Sequence, residues 1–324
     1  MENILITGSA GFIGSHLTEK LVEEGNKVKV LVNYNSRNNW GWLENNPVLK
    51  DVEIISGNIR DFDLVNNAVK SCDTVFHLAA LIGIPYSYIS PSAYIKTNIE
   101  GTYNVLESAR KNNLSNVIIT STSETYGSAQ YVPICENHPL VGQSPYSASK
   151  IAADQLAISY NKSFNLPVKI VRPFNTYGPR QSERAIIPTI ISQILNNKKE
   201  ITLGNTTPTR DFTFVKDTVK GFIEISKKHS LNGEVTNIGM KEEISVLHLV
   251  KLIANLMGAE IEIKAEDKRI RPDNSEVQRL FCDNSKIIAN TKWSPDYTIK
   301  TGLIETINWA RENEKLFKPN IYNV

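Results

Sequence analysis

Nowhere in the sequence do apolar residues run on toward the roughly 18 that a membrane span requires, so no transmembrane segment is expected. Cysteine is scarce. Cys72, Cys135 and Cys282 are odd in number and far apart. They form neither a metal-ligand spacing nor a disulfide framework, which suits a reducing cytoplasm and leaves no metal to expect. An excess of either charge is missing as well, since 36 basic residues face 34 acidic ones. No basic face is implied, and nucleic acid is not expected as a partner. The opening MENILITG enters a strand-like run almost at once, without the basic and apolar regions of a signal peptide. Internal repeats and low-complexity tracts are absent too. What remains is the expectation of a cytoplasmic globular protein.

At 324 residues the chain is too long for one ordinary core and suits a large domain with a smaller one. Apolar residues at 41% and charged residues at 22% are ordinary proportions for a globular fold. The first 178 residues alternate strand and helix. NILIT (3–7), VKVLV (28–32), VEIIS (52–56), DTVFHLAA (73–80), NVIITS (116–121) and VKIVRP (168–173) read as buried strands. Residues 12–24 repeat apolar positions at helical spacing and stop at Gly25. This alternation predicts an α/β fold, a doubly wound parallel sheet with helices on both faces. Such sheets bind ligands at the carboxyl ends of their strands. Beyond residue 178 the pattern loosens, with the turn-rich GNTTPTR (204–210) and the basic EDKRIRPDNSEVQR (266–279). Residues 179–324 are expected to form most of a smaller domain over the ligand edge. A segment near 211–239 is expected to return to the first domain.

TGSAGFIG (7–14) puts Gly8, Gly11 and Gly14 between the first strand and the first helix. Glycine there permits a tight turn and close approach of a pyrophosphate. The backbone N–H groups around Phe12 and Ile13 then lie at the positive end of the helix dipole. A glycine turn without ligand is the plainer alternative, and the turn's place in an alternating chain argues against it. An acid that holds the adenosine ribose is expected at the end of the second strand, but Asn33 stands there, followed by Ser36 and Arg37. A neutral Asn33 does not repel a 2′-phosphate. Arg37 is either a partner for that phosphate or a solvated loop cation. GNIRD (57–61) places Asn58 and Ile59 over an adenine. The small residues of HLAA, Leu78, Ala79 and Ala80, let a cofactor lie against the backbone. His77 reads as a hydrogen-bonded strand-end histidine.

Two further stretches carry chemistry. PYSASK (145–150) holds Tyr146 and Lys150 four residues apart, on one face of a helix. A lysine ammonium there would stabilise phenolate and lower the tyrosine pKa. IITSTSETYG (118–127) ends a strand in small hydroxyls around one acid, Glu124. Thr122 or Ser123 is placed to hydrogen-bond the hydroxyl that Tyr146 deprotonates. The plainer reading of Glu124 is a solvated loop carboxylate.

TGSAGFIG, HLAA, STSETYG, YSASK, RPFNTYGPRQ and PTRDFTFVKD follow one another in an order that resembles the extended short-chain dehydrogenase/reductases, the nucleotide-sugar epimerase/dehydratase family. The resemblance covers essentially the whole chain. It implies a Rossmann domain, a smaller sugar-nucleotide domain, and a homodimer through two helices per subunit. It also implies tightly bound NAD or NADP used as a temporary hydride store. Residue by residue, it places Pro173 with the cofactor and Asn175, Arg210 and Arg271 with the nucleotide sugar. The two arginines would clamp its diphosphate.

The resemblance also assigns the acid. In the family's 4,6-dehydratases the strand end reads like STDEVYG. Thr122 then binds sugar and Glu124 takes the C5 proton, while Ser123 stands where an aspartic acid would protonate the C6 hydroxyl. The family's sugar-nucleotide decarboxylases read STSEVYG, which makes decarboxylation the rival reading, with C4 epimerisation as a further one. SAQYVPICENHPLVGQSPYSASK and YNSRNNWGWLE are similar to the legionaminic-acid-pathway dehydratases that act on nucleotide-linked N-acetylglucosamine. RPDNSEV (271–277) is similar to a segment of GDP-mannose 4,6-dehydratases and leans toward GDP over UDP. A non-catalytic nucleotide sensor on the same fold is the different-class alternative. Such sensors tend to lose the Tyr/Lys pair that this chain keeps.

Overall fold

The computed structural model describes residues 2–44, 46–266, 269, 272–319 and 321. The chain begins with β1 (Asn3–Thr7), whose side chains alternate between the two faces of a sheet. Ile4 and Ile6 enter one core cluster and Leu5 the other. After β1 come α1 (Phe12–Glu23), β2 (Lys27–Asn33), β3 (Val52–Gly57), α2 (Phe62–Ala68) and β4 (Thr74–His77). Two short helices follow, α3 (Ile84–Ile89) and α4 (Pro91–Tyr94). A π-helical turn over Ile95–Glu100 leads into α5 (Gly101–Lys111), then β5 (Asn116–Thr120). The long α6 (Pro145–Phe164) starts sharply because Ser144 and Ser147 form a capping box and Pro145 holds the first helical position. It stops at Asn165 in the left-handed conformation. β6 (Val168–Pro173) and the short β7 (Asn175–Tyr177) come next.

The later chain has shorter strands: its elements are α7 (Ile186–Leu195), β8 (Glu200–Leu203), β9 (Thr209–Arg210), β10 (Phe212–Phe214), α8 (Val215–Ser226) and β11 (Val235–Ile238). It ends with β12 (Ile244–Ser245), α9 (Val246–Met257), β13 (Glu262–Ala265), α10 (Ser285–Asn290) and α11 (Ile299–Glu312).

Seven strands make one parallel sheet in the order β3-β2-β1-β4-β5-β6-β11. Parallel strands need crossovers, so helices cover both faces. Residues of α2, α5 and α6 close one face with Val65, Val105, Leu106 and Ala157. On the other face Leu17 and Leu21 of α1 and Phe222 of α8 join a larger core. That core runs on into Ile190 of α7, Leu249 of α9 and Leu303 of α11. The strand order reverses between β1 and β4, where doubly wound sheets open a crevice for ligands.

The six early strands lie where the apolar runs place them, with one correction. The run 73–80 does not stay in the ladder, because β4 pairs with β1 only as far as His77 opposite Thr7. Leu78, Ala79 and Ala80 leave the sheet as a loop. Gly8 explains the close approach there. Its φ is +75°, and a Cβ would sit 2.6 Å from the Ala79 backbone nitrogen.

Candidate active site

The glycine turn fits a pyrophosphate. Gly11 caps α1 without any side-chain bond, and the first turn of α1 carries no acid. The first N–H groups of that helix, around Phe12 and Ile13, are those that geometry leaves without intrahelical partners. A Cβ at Gly14 would strike the Gly8 carbonyl, so the turn closes only with glycine at both ends. Ser9 Oγ is buried in the turn and has no partner within the protein. Open donors, an uncapped dipole and an orphaned hydroxyl together suit an anionic group.

At the end of β2, Asn33 is exposed and its Oδ1 accepts from Asn58 Nδ2 at 3.3 Å. Ser36 and Arg37 are exposed on a loop that Asn35 holds by accepting from the Arg37 and Asn39 backbones. Arg60 was not expected here. Its Nε donates to Asn58 Oδ1 at 3.1 Å, which places a second guanidinium beside Asn33. The loop leans on the glycine turn through Trp42, whose N–H donates to the Ala10 carbonyl at 3.1 Å. Trp42 also meets the ring of Trp309 on α11, edge to face. Ile59 is buried against Gly101.

His77 is the satisfied strand-end histidine that the sequence implies. The Ala79 N–H donates to Thr7 Oγ1, and Thr7 Oγ1 meets His77 Nδ1 at 2.7 Å. His77 Nε2 meets Thr102 Oγ1 at 3.2 Å, and Thr102 donates to the Asn98 carbonyl. Read as a chain of donors, this fixes a neutral ring with the proton on Nε2. Asn98 itself bonds both Leu81 backbone groups and Ser149 Oγ, joining the loop after β4 to α6. Its role was not legible in the sequence, because it lies on a π-helical turn and bonds residues far along the chain.

The Tyr146 and Lys150 side chains are buried on one face of α6. Thr122 caps the turn that follows β5 by accepting from the Glu124 N–H, and it hydrogen-bonds Tyr146. The fold thus gathers Thr122, Glu124, Tyr146 and Lys150, with Ser123 buried behind them. One expectation needs correction. Burial pushes the Tyr146 hydroxyl above its usual pKa, the Thr122 bond opposes this, and the Glu124 carboxylate adds to it. Lys150 Nζ instead donates to the Thr120 carbonyl at 2.6 Å, and burial lowers its own pKa. Four-residue spacing brings the pair to one face, but desolvation sets the proton affinity.

Pro173 is buried at the end of β6, and Asn175 begins β7 with its Oδ1 buried and without a partner in the protein. Arg210 is nearly buried, and its Nη2 meets Glu276 Oε1 at 3.1 Å. Arg271 lies outside the described residues. Among the described residues, no three His, Cys, Asp or Glu side chains gather where a metal would sit, and no helix is long and apolar enough to cross a membrane.

His77 sets a pH dependence. Burial lowers its pKa to about 3, against 6.5 for the free side chain. The unfolded chain therefore takes up the proton first. The stability that the neutral ring contributes is present above pH 6.5 and lost as pH falls toward 3. Denaturant unfolding from pH 7 to 5 is expected to show His77→Gln with a shallower loss than the parent, by up to about 1.4 kcal/mol per pH unit. His16, also lowered to about 4, keeps part of the slope in both. Identical slopes would contradict the assignment.

Known proteins resemble the chain over nearly its whole length. The chain is 33% identical to the UDP-N-acetyl-alpha-D-glucosaminuronate decarboxylase of Bacillus cytotoxicus, covering 96% of this chain and 98% of that one. It superposes with a TM-score of 0.87 on the dTDP-glucose 4,6-dehydratase DesIV of Streptomyces venezuelae, solved with NAD bound, at 28% identity over 98% and 99% of the two chains. A TM-score of 0.87 also relates it to the UDP-N-acetylglucosamine 4-epimerase of Methanobrevibacter ruminantium in complex with UDP-N-acetylmuramic acid, at 31% identity over 96% and 99%. The family model described as GDP-mannose 4,6 dehydratase matches residues 5–306, and the chain belongs to that family, within the extended short-chain dehydrogenase/reductases of nucleotide-sugar metabolism.

Proposed function

We propose that the protein is an NAD(P)-dependent 4,6-dehydratase. Its substrate in this reading is a nucleotide-activated hexose, GDP- or UDP-N-acetylglucosamine, and its product a 4-keto-6-deoxy sugar for a surface glycan of the legionaminic type. The carrying observation is Glu124, a carboxylate on the same Thr122-capped turn that hydrogen-bonds Tyr146. A simple C4 epimerase has no use for a base at that place. The resemblance of STSETYG to the decarboxylases keeps UDP-uronate decarboxylation as the second reading. Residues 1–178 with 211–239 would hold the cofactor and the remainder the sugar nucleotide. Exposed Tyr103 on α5 and Phe164 on α6 suit a homodimer through those helices.

The chain's own groups divide the work. A bound nicotinamide dinucleotide supplies a reversible hydride acceptor. Tyr146 takes the proton of the C4 hydroxyl, with Thr122 orienting that hydroxyl. Lys150 holds the Thr120 carbonyl and so keeps the strand end that carries Thr122 against the helix of Tyr146. Glu124 removes the C5 proton, which the 4-keto group makes acidic. Ser123 is a poor general acid, so Glu124 is also the group on hand to return a proton to the departing C6 hydroxyl. Asn175 faces the sugar. Arg210 would meet the diphosphate in exchange for Glu276.

Two substitutions separate the steps. Tyr146→Phe is expected to keep cofactor bound and to cut turnover by about 10²–10⁴-fold. Glu124→Gln is expected to keep the first oxidation, read as absorbance at about 340 nm from the reduced nicotinamide ring. It should release little 4-keto-6-deoxy product and no longer place solvent deuterium at C5, because an amide cannot accept the proton. Product release by Glu124→Gln at the parent rate would remove Glu124 from the role of base.

The neutral Asn33 and the arginines near it bear on the choice of dinucleotide. Arg37→Ala is expected to weaken NADP binding by about 10- to 100-fold, and NAD binding far less, by titration calorimetry. Equal losses would leave Arg37 a loop cation.

A further inference from the structure

We infer that Asp154 is a positioning residue for this site, tying the strand-end turn of Thr122 and Glu124 to the helix face of Tyr146 and Lys150. The inference rests on the proposed reading only in taking those four residues as the ones that do the chemistry. Asp154 follows Lys150 by four residues on α6, as Lys150 follows Tyr146, so the three share one face. Asp154 has no exposed surface. A buried carboxylate is costly unless charge and hydrogen bonds compensate it. The compensation comes from two strands that end at the site. Ser121 Oγ, just past β5, donates to Asp154 Oδ2 at 2.7 Å. Arg172 of β6 donates to the same oxygen from Nε at 3.0 Å and Nη2 at 2.8 Å.

Both ends of the turn lead back to this carboxylate. Ser121 immediately precedes Thr122, the cap that fixes Glu124. Tyr126 closes the same turn, and the Arg172 guanidinium lies 4.9 Å over its ring. Lys150 adds a second tie by donating to the Thr120 carbonyl. The place of Thr122 and Glu124 relative to Tyr146 is therefore set by what Asp154 and Lys150 hold. A neutral residue of the same size keeps the volume, but it leaves the Arg172 cation unpaired and weakens the hold on Ser121.

The charge matters as well as the bond. The groups that face this part of α6 are Tyr94 from α4, Glu124 and Tyr126 from the turn, His77 from β4 and Arg172 from β6. Asp154 favours the protonated forms of both Lys150 and Tyr146, against the burial that lowers the lysine. Asp154 Oδ1 has no hydrogen-bond partner within the protein.

The test uses the full chain with cofactor bound and three variants, D154N, D154E and S121A. Lys150 is titrated by NMR with ¹³C at the lysine Cε, and oxidation of a sugar nucleotide is followed at about 340 nm. D154N is expected to lower the Lys150 midpoint and to cut kcat at least about tenfold with little change in KM. D154E should bring the midpoint back. S121A, which keeps the charge and loses one bond, should slow kcat without moving the midpoint. A folded D154N with an unshifted midpoint, or with kcat within twofold of the parent, would overturn the proposal. If D154N does not fold, an S121A enzyme within twofold of the parent overturns it. A parent that oxidises no sugar nucleotide defeats the functional reading instead, and the lysine titration still decides the role of Asp154.

Discussion

Everything at this site depends on one buried tie, the Lys150 ammonium on the Thr120 carbonyl at 2.6 Å. A cation so nearly buried must be paired or hydrogen-bonded, which holds the lysine to the end of β5. That constraint sets helix α6 against the strand end. It carries Tyr146 to Thr122 and leaves Glu124 on the adjoining turn. The parallel sheet makes this possible by bringing the carboxyl ends of all seven strands to one edge. The glycine turn, the His77 chain and the Thr122 turn then line that edge in sheet order, from β1 through β4 to β5.

Much of this was legible in the residues themselves. Strands 3–7 and 168–173 match to the residue, because each is a short apolar run between turn signals. The run at 73–80 overshot for a physical reason. Leu78, Ala79 and Ala80 are apolar, yet the ladder ends where its partner β1 ends, and hydrophobicity carries no record of that. Spacing placed Tyr146 and Lys150 on one helix face, since that depends only on helical period. It did not give the proton affinities, which follow from burial and from charges on other elements. Asn98, Asp154 and Arg172 stayed hidden because their partners are 17 to 51 residues away and nothing local marks them.

The ambiguity among dehydratase, decarboxylase and epimerase has a chemical basis. All three begin with oxidation at C4, so in the proposed reading Thr122, Tyr146, Lys150 and the glycine turn would serve each of them alike. The reactions part only after the 4-keto sugar forms. In the proposed reading Glu124 separates dehydration from C4 epimerisation, because proton removal at C5 requires a base, whereas the decarboxylases that STSETYG resembles carry the same acid. Ser123 beside it withholds a second acid. Dehydration would therefore ask one carboxylate to serve both proton transfers, a demand that decarboxylation does not make.

Product analysis from a panel of UDP- and GDP-linked hexoses and uronic acids, run in deuterated water with mass spectrometric detection, tests this account most directly. It predicts loss of water from a hexose, a 4-keto-6-deoxy sugar as product, and one solvent deuterium retained at C5. Carbon dioxide from a uronic acid with no water lost from any hexose, or a C4 epimer with no deuterium incorporated, would contradict it.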